Sequence, residues 1–548
     1  MPRFVTEGPD TTPRIGPPAS WLAEFPPRRW HLALAAGLVV AVHLGGVSAQ
    51  WWPTPDSALY LGLGDSLAAG KGYQFNGEVC NRVTPGLPMI LAAVRRVFGP
   101  GYWAGNFLMG LCGVGLLWLA YRLIGRLSDR RTALAAVLCT AFSYTFYFGC
   151  HRILTDAPFS LLFWGVLCTA LLAGRRSLRW LPAVVALVAA AIAVRMPGAL
   201  LLVPLAVGMA FDRLEGVPRK RWLVLAGAVL AATAATMVLF HLLGSNAAPH
   251  APIYEQSLRR VGAYSLLRKA SRLGGGLLML PSVLAEMFTS QDGLRAVGWV
   301  ALAWSAIGGV VLWRRGQRMP AIAIPLYVAG LAIVGNPDSV RSRYLLPVQP
   351  LVAYMMIEGL LWTVRAVCRL RRKIPAPMLY LKAATVFTAV LVAANAPRLL
   401  RNAAWYTYLS YTPRYYHVIR HGVHVERFKL ARWLAGACRP DERIGMAGHQ
   451  VWLLHYLTGR RIVPLAGGLL WRTPDAERVV RNAEEAADVR FVVVGKEEGW
   501  PEFRRAIRRL LETSGSLERI YEGGDWRVYR RRPRPDRPRT SSAPRPPA

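Results

Sequence analysis

Residues 30–60, WHLALAAGLVVAVHLGGVSAQWWPTPDSALY, place a long apolar run directly before a pair of tryptophans, two prolines and the carboxylate of Asp56. The run over residues 30–49 is long enough to cross a bilayer, because a membrane-spanning helix needs about 20 apolar residues. A carboxylate beside lipid is costly to desolvate. Asp56 is therefore either hydrated at the membrane surface or part of a site.

The same apolar pattern recurs along the chain, which has 548 residues and is 53% hydrophobic. We predict an α-helical polytopic membrane protein of about eleven spans, followed by a small C-terminal α/β domain. The predicted spans lie near residues 30–49, 104–125, 132–150, 154–173, 180–195, 197–211, 222–243, 294–313, 320–335, 344–365 and 378–397.

The formal net charge of +36 is large, and short arginine clusters lie between the predicted spans, such as Arg126, Arg130 and Arg131. Such clusters mark cytoplasmic loops. A nucleic-acid partner is therefore not expected, although a soluble chain of this charge would suggest one.

Placing residues 1–29 in the cytoplasm puts every such cluster on the cytoplasmic side. The outer loops are then residues 50–103 and 244–293, and the C-terminal domain also lies outside. We predict a multi-pass protein of the plasma (inner) membrane whose transmembrane domain covers residues 30–400.

Two features leave this topology open. The first run could be a signal peptide, since Val47-Ser48-Ala49 resembles a cleavage site, but it is longer than a usual signal core. The two short segments on either side of Arg195-Met196-Pro197 are either two spans or one kinked or re-entrant pair.

The first outer loop contains two predicted helices. One runs over residues 56–69, opened by Pro55-Asp56 and closed by Gly70-Lys71-Gly72. The other covers residues 86–98 and is expected at the membrane interface, and residues 276–290 form a similar element.

Helices and strands alternate in residues 412–530, which predicts a small α/β domain with a mostly parallel sheet. This region contains no GxGxxG and no Walker-type glycine-lysine loop, so the sequence gives no support for nucleotide binding. The basic, proline-rich tail over residues 531–548 is expected to be disordered.

No metal site is predicted, although a divalent metal stays compatible with the sequence. The seven cysteines include no CxxC pair, and whether Cys80 and Cys438 pair in the outer segments stays open. His417, His421 and His424 have helical spacing but no carboxylate beside them.

Five segments in succession resemble a known enzyme family. They read PDSALYLGLGDSLAAGKGY (55–73), TPGLPMILAAVRRVFG (84–99), RILTDAPFSLLFW (152–164), AVRMPGALLLVPLA (193–206) and RSRYLLPVQPL (341–351). Their order and context are similar to integral-membrane glycosyltransferases of the GT-C fold. The nearest branch resembles glycosyltransferase family 39, which includes protein O-mannosyltransferases and the aminoarabinose transferases that modify lipid A.

The resemblance implies transfer of a sugar from a polyprenyl-phosphate donor to an acceptor on the outer face of the membrane, with inversion at the anomeric carbon. By position, it implies that Asp56 is the catalytic base. Asp56 is followed by Ser57 and not by a second acid, which departs from the common pattern of the family.

Such a reaction needs a base for the acceptor hydroxyl and positive charge for the departing phosphate. For Asp56 the structural alternative is a helix N-terminal acid. Asp156 is the second catalytic candidate, and it either caps a helix or lines the cavity. The residues predicted to bind the donor phosphate are Arg341, Arg343, Lys71, Arg82, Arg259, Arg260 and Arg195.

Two other classes of function remain open on the sequence alone. One is a transporter or flippase for lipid-linked sugars, although we find no internal repeat of the transporter kind. The other is a non-catalytic binding subunit. Under the transferase hypothesis the partners are a polyprenyl-phosphate-linked sugar, membrane lipid and a glycan, lipid or protein acceptor.

Overall fold

The computed structural model describes most of the chain. The described residues are 27–80, 82–213, 217–245, 261–289, 295–334, 342–371, 377–412, 415, 423–447, 450–465, 476–486, 488–495, 501–524 and 526–532.

The first part of the chain is a helical bundle with a helical loop inserted after its first helix. Its helices are α1 (Arg29–His43), α2 (Pro55–Ala68), α3 (Gly86–Phe98), α4 (Trp103–Leu127), α5 (Arg130–Ala141), α6 (Tyr144–Cys150), α7 (Asp156–Arg175), α8 (Leu181–Val194), α9 (Ala199–Phe211), α10 (Arg219–Ser245), α11 (Leu266–Thr289), α12 (Arg295–Arg314), α13 (Arg318–Val334), α14 (Gln349–Leu370), α15 (Pro377–Arg401) and α16 (Thr407–Ser410). Short 3₁₀ turns cover Leu178–Trp180, Met196–Gly198 and Ser342–Val348, and a π-helix covers Asn402–Tyr406.

Long apolar helices confirm the predicted polytopic membrane fold. Within the described residues, six helices are long and apolar enough to span a bilayer. The pair α5 and α6 forms a further, bent candidate, and α1, α8, α9 and α13 lie in shorter apolar helical segments. Together these elements correspond to the predicted spans.

Two of the predicted spans differ in detail from the structure. The first helix ends at His43, six residues before the predicted end, and Gly45 and Gly46 follow it closely. The span over residues 132–150 is bent by 70° between α5 and α6. The bend occurs where the Ser143 side chain accepts a hydrogen bond from the backbone of Phe146 and so starts a new helix.

Small residues let the central helices of the bundle approach closely. A Cβ atom on Gly308 of α12 would lie 1.8 Å from the Met355 carbonyl oxygen of α14. One on Gly359 of α14 would lie 2.0 Å from the Trp304 carbonyl oxygen of α12. Close backbone packing at glycine is typical of helices in membranes, where burial of apolar surface does not drive association.

The C-terminal domain is a sheet covered by helices on both faces. Its helices are α17 (Val423–Ala437), α18 (Val451–Thr458), α19 (Ala476–Glu485) and α20 (Pro501–Thr513), and its strands are β3 (Arg443–Met446), β4 (Arg461–Pro464), β5 (Val489–Val494), β6 (Leu517–Gly523) and β7 (Trp526–Arg531). One apolar cluster joins the sheet to α19 and α20, and a second joins it to α17 and α18.

The sheet is mixed: four of its five strands run in the same direction, as expected for the predicted mostly parallel sheet, and β7 runs opposite to them. The strand order is β4-β3-β5-β7-β6, in which β4, β3 and β5 are parallel. The last two strands form an antiparallel hairpin, and β7 pairs antiparallel with β5. No helix separates β6 from β7, so the chain has no crossover that would make them parallel.

The inserted loop packs against the C-terminal domain. Its hairpin of β1 (Gln74–Phe75) and β2 (Glu78–Val79) reaches the edge strand β4, and α2 lies against α18. The loop, the C-terminal domain and the N-terminal end of α2 therefore lie at the same end of the bundle, here called the site end.

Candidate functional site

Four charged side chains from distant parts of the sequence form one chain at the site end. The Nη2 atom of Arg343 donates to Oδ2 of Asp56 at 3.1 Å, and its Nε atom donates to Oδ2 of Asp156 at 3.0 Å. The other oxygen of Asp156 accepts from Nη1 of Arg195. The order along this chain is Asp56, Arg343, Asp156 and Arg195, and it is here called the charged chain.

Local sequence fixes Asp56 in the first turn of α2. The side chain of Thr54 accepts from the backbone N–H of Ser57 at 3.1 Å, and the Ser57 hydroxyl accepts from the backbone N–H of Thr54 at 3.1 Å. Pro55 occupies the first turn, where its missing N–H is not needed. The Asp56 side chain is 40% exposed, so one carboxylate is presented at a rigid helix end.

Asp156 has a different environment from Asp56. It lies in the first turn of α7, but its side chain is only 1% exposed and makes ion pairs with Arg195 and Arg343. The preceding Thr155 makes no side-chain cap, and its hydroxyl accepts from Nη1 of Arg195 at 3.2 Å. The Asp156 carboxylate therefore pairs with two arginines instead of capping α7, and its burial does not place it on an open cavity.

Arg195 is an arginine at the end of an apolar helix, where it would be costly without a partner. It follows α8 directly and is 11% exposed, with Asp156 as its ion-pair partner. The ring of Tyr344 lies beside both arginines, with its centroid 5.2 Å from the Arg195 guanidinium carbon and 5.5 Å from that of Arg343. The Tyr327 hydroxyl donates to the Tyr344 carbonyl at 2.7 Å, which ties α13 to this turn.

Two glycines allow the segments of the site to meet. A Cβ atom on Gly86, in the Thr84-Pro85-Gly86 motif, would lie 2.5 Å from the Ala193 carbonyl oxygen, two residues before Arg195. One on Gly198 would lie 2.3 Å from the Phe159 ring of α7. Both positions require glycine because the neighbouring atoms already occupy the space of a side chain.

The structure does not bring every predicted residue into the charged chain. Lys71 is exposed beyond the far end of α2, whose rise of about 1.5 Å per residue puts Ala68 about 18 Å from Asp56. Arg82 lies over the Trp452 ring of the C-terminal domain, 5.7 Å from its centroid. The candidates Arg259, Arg260 and Arg341 lie outside the described residues, as do His417 and His421.

Metal-binding and disulfide patterns were also open on the sequence. Among the described residues, no three or more His, Cys, Asp or Glu side chains are grouped to hold a metal ion. The cysteines are free, and Cys80 and Cys438 pack in different apolar clusters.

Sequence reasoning missed two residues that contact the site arginines. Thr155 precedes Asp156 and Tyr344 follows Arg343, so both belong to segments that carry the family resemblance. Their adjacency to candidate charges was an available signal. Their contacts with Arg195, however, depend on tertiary packing.

The sequence matches a family model over part of its length. Residues 82–241 match the model described as dolichyl-phosphate-mannose-protein mannosyltransferase. This range includes Asp156 and Arg195 but neither Asp56 nor Arg343. Comparison with proteins of curated function finds no match to the sequence.

Two solved structures of membrane glycosyltransferases share the fold. ArnT from Cupriavidus metallidurans, in a crystal structure bound to undecaprenyl phosphate, is 16% identical with a TM-score of 0.55, and the alignment covers 91% of this chain and 98% of ArnT. The archaeal oligosaccharyltransferase AglB from Archaeoglobus fulgidus, in complex with an inhibitory peptide and a dolichol-phosphate, is 12% identical with a TM-score of 0.52, over 87% of this chain and 70% of AglB. The chain therefore has the GT-C fold of integral-membrane glycosyltransferases, and its sequence resembles glycosyltransferase family 39.

Proposed function

We propose that the protein transfers a sugar from a polyprenyl-phosphate-linked donor to an acceptor hydroxyl at the extracytoplasmic face of the membrane. The observation that carries this proposal is the charged chain, which ends in an exposed carboxylate and lies on the side of the bundle covered by the C-terminal domain. The undecaprenyl phosphate and dolichol-phosphate in the two similar structures support a lipid-phosphate donor. The arginine clusters of the sequence support the extracytoplasmic orientation.

Asp56 is the general base in this proposal. A base must reach the acceptor proton, and the Asp56 side chain is 40% exposed whereas that of Asp156 is almost completely buried. Both oxygens of Asp156 already accept from arginines. We therefore assign Asp156 a positioning role, in which it holds Arg343 against Asp56.

Arg343 stabilises the donor phosphate in this proposal. Its guanidinium is held by two carboxylates, and its side chain is 36% exposed, which supports the approach of a third anionic group at this position. A planar, fixed guanidinium suits phosphate oxygens and needs little reorganisation as charge develops. Arg195 acts through Asp156. Arg341, Arg259 and Arg260 are proposed as further contacts to the lipid phosphate or its sugar. Lys71 and Arg82 are not proposed again, because α2 separates Lys71 from Asp56 and Arg82 lies over Trp452.

The bond changes follow from these assignments. The acceptor oxygen attacks the anomeric carbon as its proton passes to Asp56. The bond between that carbon and the phosphate oxygen breaks, and polyprenyl phosphate leaves with the electron pair beside Arg343. A single displacement of this kind inverts the anomeric carbon, and the acceptor is a hydroxyl of a protein, a lipid or a glycan of the cell envelope.

The test follows radiolabel from a panel of polyprenyl-phosphate sugars into a membrane extract, with purified protein in lipid. Asp56→Asn should reduce turnover by about 100- to 10,000-fold while donor binding is retained, because general-base catalysis contributes about that much. The matched control is Asp441→Asn, the same change at an exposed position of the C-terminal domain. A parallel reaction with chelator tests for a divalent metal.

Unchanged turnover in Asp56→Asn would exclude Asp56 as the base and direct attention to Asp156. Donor binding without turnover in the parent protein, with a competent acceptor present, would instead favour a binding or transport function.

A further inference from the structure

Helix α18 of the C-terminal domain places Tyr456 between the first outer loop and the bundle. The edge of its ring meets the Trp51 ring, with the centroids 5.0 Å apart and the planes at 76°. Its hydroxyl donates to Oδ2 of Asp65 at 3.3 Å and accepts from Nη2 of Arg95 at 3.4 Å. Burial raises the pKa of Tyr456, so its hydroxyl keeps the proton that it donates.

Trp51 connects this contact to the helix start that carries Asp56. The Trp51 side chain is fully buried and lies between the rings of Tyr456 and Tyr102. Its indole N–H donates to the Ser57 hydroxyl at 2.8 Å. The Ser57 hydroxyl also hydrogen-bonds Thr54 and so completes the cap at the start of α2. Thr54 and Ser57 directly flank Pro55-Asp56.

A second set of contacts fastens the same loop to the same domain. The side-chain amide of Asn76, at the tip of the β1–β2 hairpin, donates to the Ile462 carbonyl and accepts from the Ile462 N–H, both at 2.7 Å. Asn76 thus pairs with the edge strand β4 as another strand would. Its own N–H donates to Nε2 of His455 at 3.1 Å, beside Tyr456 on α18.

We propose that the C-terminal domain fixes the position of the catalytic helix, with Tyr456 as a positioning residue that acts on Asp56 through Trp51 and the Ser57 cap. The inference rests on the proposed function for its catalytic consequence only. The domain, on this view, is part of the active-site framework and does more than cover it. Loss of the Tyr456 ring frees Trp51 to rotate, weakens the cap and lets the Asp56 carboxylate leave Arg343.

The test compares two replacements of Tyr456. Tyr456→Leu removes the ring and should lower kcat by about 10- to 100-fold, because a misplacement of roughly 1 Å can cost about 100-fold. The KM for the lipid donor should change less than kcat. Tyr456→Phe keeps the ring against Trp51 and should restore most of kcat, which a requirement for overall folding alone would not predict.

The matched control is Tyr521→Leu, which removes another tyrosine of the same domain. The Tyr521 ring packs on Trp433, with the ring centroids 4.8 Å apart, and not on the loop. Hydrogen exchange of the peptide covering residues 51–60 gives a readout that does not need activity. Exchange there should rise in Tyr456→Leu and remain at the parental rate in Tyr521→Leu. Trp51→Phe, which keeps a ring but loses the indole N–H, provides the same comparison if Tyr456→Leu does not fold.

The outcomes separate this inference from the proposed function. Faster exchange together with lower kcat supports it. Equal exchange in Tyr456→Leu and Tyr521→Leu overturns it, as does faster exchange with unchanged kcat. If the parent protein transfers no sugar, the proposed function fails, and the exchange measurement alone decides whether the domain holds α2.

Discussion

The two ends of the helical bundle each bury an arginine–carboxylate network, but only one network is open. At the site end, the side chains of Arg343 and Asp56 are 36% and 40% exposed. At the opposite end, Arg315 pairs with Glu358 at 2.9 Å, and the Glu358 side chain is 3% exposed. Glu358 also accepts from the Ser128 hydroxyl at 3.0 Å, next to the residue that caps α5.

Under the proposed function, the open network acts on a ligand, whereas the closed network joins helices. The closed network links α12, α14 and the turn between α4 and α5, and its carboxylate is satisfied within the protein. The open network presents one carboxylate and one guanidinium to an incoming group. Buried charge alone is therefore weak evidence for a functional site, and the exposure of one member of the network is the better criterion.

The largest effect is expected from Arg315→Met at the closed end. The change leaves the buried Glu358 carboxylate without its ion-pair partner, which typically costs about 3–5 kcal/mol of stability. The free energy of unfolding should fall by about that amount, measured by denaturant unfolding in mild detergent. Turnover per folded molecule should stay near that of the parent.

The double variant Arg315→Met with Glu358→Met is the control for this experiment. Replacing a whole buried ion pair by apolar residues of similar size is often close to neutral, so most of the stability should return. A large loss of turnover in the folded fraction of Arg315→Met would remove the functional distinction between the two ends.

The next largest effect is expected from Arg343→Lys at the open end. Lysine keeps the charge but cannot hold two carboxylates in one rigid plane. We expect kcat/KM to fall by about 100-fold, as for loss of a positioned electrostatic group. Stability should change by less than about 1 kcal/mol because Arg195 still pairs with Asp156. A stability loss as large as that of Arg315→Met would show that the open network is mainly structural.

A smaller effect, which sharpens the comparison, comes from one glycine at each end. Gly86→Ala places a Cβ atom 2.5 Å from the Ala193 carbonyl oxygen and pushes the backbone that leads to Arg195. We expect a loss of about 1–3 kcal/mol in stability from overpacking, and lower kcat in the folded protein.

Gly316→Ala is the matched change at the closed end. Gly316 has a φ of +82°, and its Cβ atom would lie 2.7 Å from the Arg213 carbonyl oxygen. Stability should fall by a similar amount, about 1–3 kcal/mol, because alanine is strained in this conformation. Activity measurements on the folded fraction should separate the two variants. Equal kcat in both would show that the Gly86 contact does not position the site.

Local sequence signals predicted the helices of this fold and the start of the helix that carries Asp56. Apolar runs of membrane-spanning length and the Thr54-Pro55-Asp56 sequence need only neighbouring residues to be interpreted. The bend between α5 and α6 was not predicted, because an apolar run has the same composition whether it is straight or bent. The reversed direction of β7 was not predicted, although β6 and β7 follow one another without a helix.

Four of the predicted site residues meet in the charged chain, but their contacts were not predicted. Asp156 and Arg343 are 187 positions apart, and nothing local indicates that they pair. The sequence indicated that Arg195 needs a partner but did not identify Asp156. Lys71 was chosen by its place in the first loop, and the length of α2 separates it from Asp56. Such choices depend on tertiary distances that a single sequence does not contain.

The smallest expected effect concerns His455, which lies outside both networks and joins the C-terminal domain to the loop hairpin. Burial lowers its pKa below the ordinary value, which is 6.5. Nδ1 donates to the Arg460 carbonyl at 2.6 Å, so Nε2 accepts from the Asn76 N–H as a neutral imidazole. Protonation would put two N–H groups against each other.

The unfolded chain binds the proton more readily, so stability should be constant above a pH of about 6.5 and fall as the pH drops below it. As the pH falls from 8 to 5.5, the melting temperature of the parent should therefore decrease relative to that of His455→Gln, because glutamine does not titrate. If this difference in melting temperature does not change with pH, protonation of His455 does not affect docking of the C-terminal domain. That result would leave the contrast between the open and closed networks unchanged.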